Sequence, residues 1–186
     1  MRKSYGKKAQ IFPLPVLIVA SYNEDGSLNA MNAAWGTVCD TNKIAIFLCA
    51  DHKSTKNILA RKAFTVSMAT ADYVAECDYV GIVSANDTPN KMEKVGFTAV
   101  KSDVVDAPII KELPLALECT LESFDTESEC AVGVIENVSV DESILDENGK
   151  IDFSKYNPLA YLSSDRAYVT LGKKVGTAFS DGLKLK

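Results

Sequence analysis

The sequence predicts a mainly β chain with a few short helices, an α+β fold whose strands wrap into a closed or half-closed antiparallel barrel. Three observations carry that reading. About seven short β-prone runs follow one another between residues 14 and 171, a pattern that favours a barrel over a helical bundle. Polar turn clusters at 22–26 and 125–128 join β-prone runs, which is the signal of antiparallel hairpins. No repeat, low-complexity tract or long linker interrupts the 186 residues, so one domain is expected over 1–186.

Each element follows from local chemistry. Residues 14–21 are rich in Val, Ile and Leu and run into Tyr22-Asn-Glu-Asp-Gly26, after which 27–36 resume extended character across the Asp-Gly turn. Residues 43–49 make a compact apolar strand. Asp51 and Ser54 then offer capping oxygens, and 55–62 read as a short helix with Ile58 and Leu59 on its inner side. Residues 64–69 return to a strand. The middle is more helical: 72–80 and 89–95 are short amphipathic segments, the second opened by Pro89 and followed by Gly96. Residues 81–87 between them read as a loop, and 107–113 as a connector with one helical turn near Pro108. Two long strands follow at 115–124 and 129–141. The second carries apolar residues at both parities, among them Ala131, Val132, Gly133 and Val134, so no single inward face is marked. Residues 146–150 form a surface turn, 156–162 an irregular or weakly helical stretch, and 168–171 a last short strand.

Bulk properties exclude several classes. A formal net charge of −5 argues against nucleic-acid binding, which usually needs a basic face. A local basic pocket from Lys53, Lys56, Arg61 and Lys62 is compatible with it. The apolar run at 11–20 is too short to span a bilayer and is broken by prolines, so no membrane association is expected. The basic start, Met1 to Lys8, is followed by no convincing cleavage signal, and the expected location is the cytoplasm. Five scattered cysteines form no Cys-x-x-Cys pair, so neither a disulfide framework nor a zinc site is indicated. Four of them lie in or beside β-like runs, where a reduced cysteine acts as a small apolar residue. Cys77, in a more polar setting, is a candidate reactive thiol.

Two segments carry the chemistry. Asn29-Ala-Met-Asn-Ala-Ala-Trp-Gly36 is a strand of small residues, amides and one indole. Alternation puts Asn29, Met31, Ala33 and Trp35 on one face, and Ala30, Asn32, Ala34 and Gly36 on the other. Small side chains let a planar ring lie close to the backbone. Asp51-His-Lys-Ser-Thr-Lys-Asn57 is a loop that turns into a helix. Free N–H groups and the positive dipole end there favour an anion, with hydroxyls from Ser54 and Thr55 and a charge from Lys53. A ring surface beside a phosphate site suggests flavin mononucleotide (FMN). Taken singly, the second segment also fits an ordinary capped surface helix, and Trp35 also fits a core aromatic. His52 is the only histidine, and neither a Ser/His/Asp set nor a metal cluster can be built around it. No catalytic acid/base pair stands out, and no Gly-x-Gly-x-x-Gly motif offers a Rossmann site for a nicotinamide nucleotide.

The order of these motifs, Asp-Gly-x-x-Asn-Ala-Met-x-x-x-Trp, then a strand, His-Lys-Ser-Thr, a short helix and Phe-Thr-Val-Ser, resembles the flavin reductase-like, flavoredoxin-type FMN-binding split-barrel family. The similarity runs from about Pro13 to Leu171 and continues in Gly81-x-x-Ser84, Asn90-Lys91-Met92, Gly96-Phe97, Leu115-Ala-Leu-Glu-Cys119 and Gly133-x-Ile135-x-x-Val138. It implies a Greek-key-like antiparallel split barrel that binds FMN at the interface of a homodimer. It also implies an oxidoreductase that moves electrons between NAD(P)H, or another donor, and a flavin or a downstream electron-transfer partner. The resemblance places Asn29, Ala30, Met31 and Asn32 along the flavin and Trp35 near its ring. It places His52, Lys53, Ser54 and Thr55 in the phosphate loop, and Ser84 and Lys91 in a segment that contributes to the pocket or to dimer contacts. Ala85 and Asn90 depart from the family's usual glycine and aspartate. A non-catalytic module that binds or stores flavin is the alternative.

Overall fold

The Asp-Gly turn closes as its chemistry predicts. Asp25 accepts hydrogen bonds from the Ser27 amide (2.9 Å) and hydroxyl (2.6 Å), and Gly26 takes the positive φ of 83° that the tight turn requires. The turn joins β2 (Leu17–Tyr22) to β3 (Leu28–Ala33) in register, Leu17 opposite Ala33 and Tyr22 opposite Leu28. These coordinates come from a computed structural model that describes all 186 residues.

The hairpin is one end of a seven-stranded sheet in the order β3-β2-β6-β9-β10-β5-β4. Its other members are β4 (Gly36–Asp40), β5 (Lys43–Phe47), β6 (Ala63–Met68), β9 (Leu115–Asp125) and β10 (Cys130–Val140). Every neighbouring pair is antiparallel. The two edge strands, β3 and β4, are separated in sequence by Ala34 and Trp35 alone, so the sheet has to curl until its edges approach. The mostly antiparallel half-barrel that results agrees with the fold read from the sequence.

Burial explains why β2 shows no alternation. Leu17 and Val19 enter one apolar cluster with Ile44, Ile46, Ile58, Phe64 and Val66, while Ile18 and Ala20 enter a second with Val16, Ala30, Val80 and Ile110. A strand covered on both faces reads as a continuous apolar run. In β10, bulges near Val132/Gly133 and Ile135/Asn137 shift the register against β9. Each bulge breaks the period of two, which is the physical reason the inward face could not be read. A buried carboxylate braces the back of the sheet: Glu118 accepts from Asn137 Nδ2 (2.7 Å) and from the Ser102 hydroxyl.

Two expectations need correction here, and one strand had no expectation. Residues 107–113 form no helical turn: β7 (Ala99–Lys101) and β8 (Pro108–Ile110) make a small hairpin. Pro108 starts its strand, a position where its missing N–H costs no ladder bond. Residues 156–162 are neither irregular nor helical beyond their first residue. The helix α4 (Phe153–Tyr156) ends at Asn157 in the left-handed region, and β11 (Leu159–Leu162) follows between β1 (Leu14–Pro15) and β12 (Ala167–Thr170). Residues 37–40, which carry no strand pattern of their own, form β4. This strand lies at the sheet edge, and Thr37, Val38, Cys39 and Asp40 are all exposed.

Candidate functional site

The helix α1 (Lys53–Arg61) begins with an electrostatic conflict. His52 occupies the N-cap position without a side-chain capping bond, and the first turn contains no acid. Lys53 instead puts a positive charge at the positive end of the dipole. The expected capping oxygens are engaged elsewhere or turned away. Ser54 Oγ accepts from Asn29 Nδ2 (2.7 Å), and Thr55 Oγ1 donates to the Cys49 carbonyl (2.8 Å). The first amides of the helix are therefore free of side-chain caps, and an anion would satisfy both them and Lys53.

Across from this terminus run α2 (Val74–Ile82) and α3 (Lys91–Val95), joined by the segment that contains Ser84. Lys91 is buried, 3% exposed, and its ammonium donates to the carbonyls of Val80 (3.0 Å) and Val83 (2.9 Å) at the end of α2. None of the three ion pairs in the chain includes it. Burial without a counter-ion lowers its pKa from 10.5 to about 8.

These elements enclose a cavity of about 150 Å³ lined by Asn29, Met31, His52, Lys53, Ser54, Ser84 and Lys91 among others. Two polar atoms at its wall, Asn29 Oδ1 and His52 Nδ1, are buried with no partner in the chain. Orphaned buried polar atoms are rare in a finished structure and call for a ligand or water. Asn29 is 1% exposed, so whichever way its amide is turned one atom is left over. The donor set thus combines a free helix terminus, two amines without carboxylate partners and two unpaired polar atoms. It fits a phosphate carrying a hydroxylated chain.

Seven of the eleven residues singled out in the sequence converge here, and four do not. Ala30 is buried in the apolar cluster behind β3. Asn32 also faces backward, donating from Nδ2 to the Cys77 carbonyl (3.0 Å). Both follow from the alternation that turns Asn29 and Met31 to the cavity. Thr55 is 1% exposed and spends its hydroxyl on the loop before α1. Trp35, 65% exposed on the connection from β3 to β4, is no core aromatic and does not line this cavity. Its carbonyl accepts from the Phe47 amide (2.9 Å). Cys77 is buried with its thiol pushed up to about 12 by burial, which makes it an inert core residue rather than a reactive one.

The sequence reading missed the wall supplied by α2. Val80, Gly81, Ile82, Val83 and Ala85 all line the cavity, and Gly81 and Ile82 belong to the helix rather than to a loop. The signal that could have found them is Gly81 itself. A Cβ there would stand 2.8 Å from Asn32 Cβ, so only glycine lets α2 approach β3 this closely. Gly81→Ala is accordingly expected to lower stability by about 1–3 kcal/mol and to widen the cavity. A drop in the denaturant midpoint together with faster amide exchange along β3 would show it.

The profile of the flavin reductase like domain matches residues 9–172. The chain belongs to that family. Flavoredoxin of Desulfovibrio vulgaris (Miyazaki F) superposes with a TM-score of 0.92 at 34% identity, over 98% of this chain and 100% of its own. Flavoredoxin from Methanosarcina acetivorans gives 0.89 at 25% identity, over 100% of both chains. A protein of Aquifex aeolicus (strain VF5) is 26% identical over 164 residues, covering 82% of each chain. The flavin reductase-like fold thus accounts for the half-barrel, with α1 and α2 set against the β2–β3 hairpin. No helix in it is long and apolar enough to cross a membrane.

Proposed function

We propose that this chain is an FMN-binding oxidoreductase that moves electrons between NAD(P)H, or another donor, and a flavin or downstream acceptor. The observation that carries the reading is the uncapped terminus of α1 facing the buried, uncompensated Lys91 across orphaned Asn29 and His52 atoms. The flavin supplies the electron and hydride chemistry when bound, and the protein positions and tunes it.

Each residue then has a defined task. The first amides of α1, the Ser54 hydroxyl and Lys53 would hold the phosphate. Asn29 Oδ1 would accept from a hydroxyl of the ribityl chain, and Ser84, exposed at the mouth, can donate to it. Lys91, fixed by two carbonyls, keeps its third N–H for negative charge in the cavity. Met31 presents an apolar flank for the ring, and Trp35 stands free at the strand end beyond it. No side-chain nucleophile or general base is required, and none is assembled in this cavity.

The cavity holds about 150 Å³, below the size that encloses a drug-sized ligand (about 300–1,000 Å³). One chain therefore supplies only part of the enclosure. That shortfall supports a homodimer in which the second copy closes over the ring. The reduced thiols and the lack of an apolar helix are compatible with a cytoplasmic home.

The test is an absorbance titration of the purified protein with FMN, followed by anaerobic NADH or NADPH. Saturable binding and bleaching of the bound flavin are expected. Binding with no bleaching would favour a flavoprotein fed by another donor, or a storage module. No binding would sink the reading.

A further inference from the structure

An apolar depression lies away from the cavity just described. It measures about 470 Å³ and is walled by Leu14, Leu17, Val38, Met68, Leu117 and Leu171. It opens where edge strand β4 fails to close the barrel, and Val38 remains 64% exposed there. Leu171, on the rim, is the last residue before a C-terminal arm, residues 172–186.

The arm is locally organised yet unsupported. Asp181 Oδ2 accepts from the Thr177 amide (2.8 Å), Lys184 donates to Asp181 Oδ1 (2.8 Å), and residues 181–185 form a 3-10 turn. Its apolar side chains nevertheless face water: Val175 is 93% exposed, Leu185 92%, and Phe179 fully. Phe179 also holds a φ of +60°, inside a turn that the Ser180 and Asp181 amides close by donating to the Thr177 carbonyl (3.3 and 3.1 Å), so the backbone presents its ring outward. Charge separates the two parts as well. Four lysines and one aspartate give the arm +3, so the rest of the chain carries −8 of the total −5.

We infer that the arm of each copy seats in the apolar depression of a second copy of this chain, with Phe179 as its anchor. If the twofold axis passes beside this rim, an arm that leaves its own depression meets the partner's, and the contact is made twice over. The exchange covers two features that are otherwise exposed together: an apolar hollow and a cluster of apolar side chains held ready by local hydrogen bonds. The attraction of a basic arm for an acidic body aids it. The inference rests on the homodimer proposed above and names the segment that builds it.

Sedimentation of the full chain with FMN present is the starting measurement, beside two variants: one ending at Leu171 and Phe179→Asp. The full chain is expected to sediment as a dimer, and both variants to dissociate with a Kd raised about 30-fold or more, the worth of losing an aromatic anchor. Phe179→p-benzoylphenylalanine in the full chain is expected to give, on irradiation, a product of twice the chain mass joined to the 14–17 or 36–38 segment. Three outcomes overturn the inference: an undiminished dimer in both variants, a crosslink confined within one chain, or a monomeric full chain. Only the last also removes the dimer reading. FMN titration of each variant keeps the flavin reading separate, because loss of flavin binding by the dimeric full chain would strike that reading alone.

Discussion

Lys91→Met will weaken FMN binding by between about 10- and 100-fold, the worth of about 1.5–3 kcal/mol for a hydrogen bond to a charged group. Methionine keeps the length and the apolar stem, so the walls of the cavity stay in place while the buried ammonium is lost. The same substitution has a pH signature. Burial lowers the Lys91 pKa from 10.5 in free solution to about 8 in the fold. Between those values the unfolded chain binds a proton that the folded chain has released, so the lysine's contribution to stability rises with pH across that window. Below about pH 8 both states carry the charge, and the cost of burying it is complete. The stability of wild type relative to the variant, measured without flavin, should therefore improve from pH 8 to pH 10. An anion bound beside Lys91 would pull its pKa back up. FMN binding near pH 8 should then take up protons in wild type and not in the variant, which calorimetry in two buffers of different ionisation heat will read. Equal flavin affinity and equal pH profiles for the two proteins would remove Lys91 from the site.

Gly133→Ala is the substitution with the largest expected cost to the fold. Its Cβ would sit 2.4 Å from Cζ and 3.0 Å from Cε1 of Phe64, and 3.3 Å from Cys119 Cβ. Phe64 is fully buried at the centre of one apolar cluster, so it cannot swing away without displacing its neighbours. Forcing a methyl into such packing costs about 3 kcal/mol, which lowers Tm by about 5–10 °C in a chain of this size. Adding Phe64→Leu should return part of the loss, because a smaller side chain makes room for the methyl. A double variant as destabilised as the sum of the two single ones would show that this overlap is not the cause.

The parts of the fold that were legible in the sequence are those set by local chemistry. The Asp25-Gly26 turn fixed the β2–β3 hairpin, and Pro89 and Gly96 bracketed α3. What was not legible either carries no pattern of its own or depends on partners distant in the chain. β4 is a strand because β5 pairs with it, although its own residues are exposed and carry no inward pattern. β11 is held between β1 and β12, which lie far from it or after it in sequence. The site divides in the same way. Asn29, Met31 and the start of α1 were visible as a strand face and a helix terminus. The wall from α2 was not, because it depends on Gly81 packing against Asn32, a contact between residues almost fifty positions apart. Alternation by itself would have removed Ala30 and Asn32 from the list of cavity side chains. The resemblance kept them there.

The exposure of Trp35 gives the protein a built-in optical label. It is the only tryptophan in the chain, and it sits on the two-residue hinge between the sheet edges. Excited to the red of the seven tyrosines, its emission therefore reports on the surroundings of that edge. An approaching protein surface would shift the emission to shorter wavelength by drying the indole. A nearby isoalloxazine would instead extinguish it by energy transfer, so one unlabelled sample can distinguish assembly from cofactor uptake.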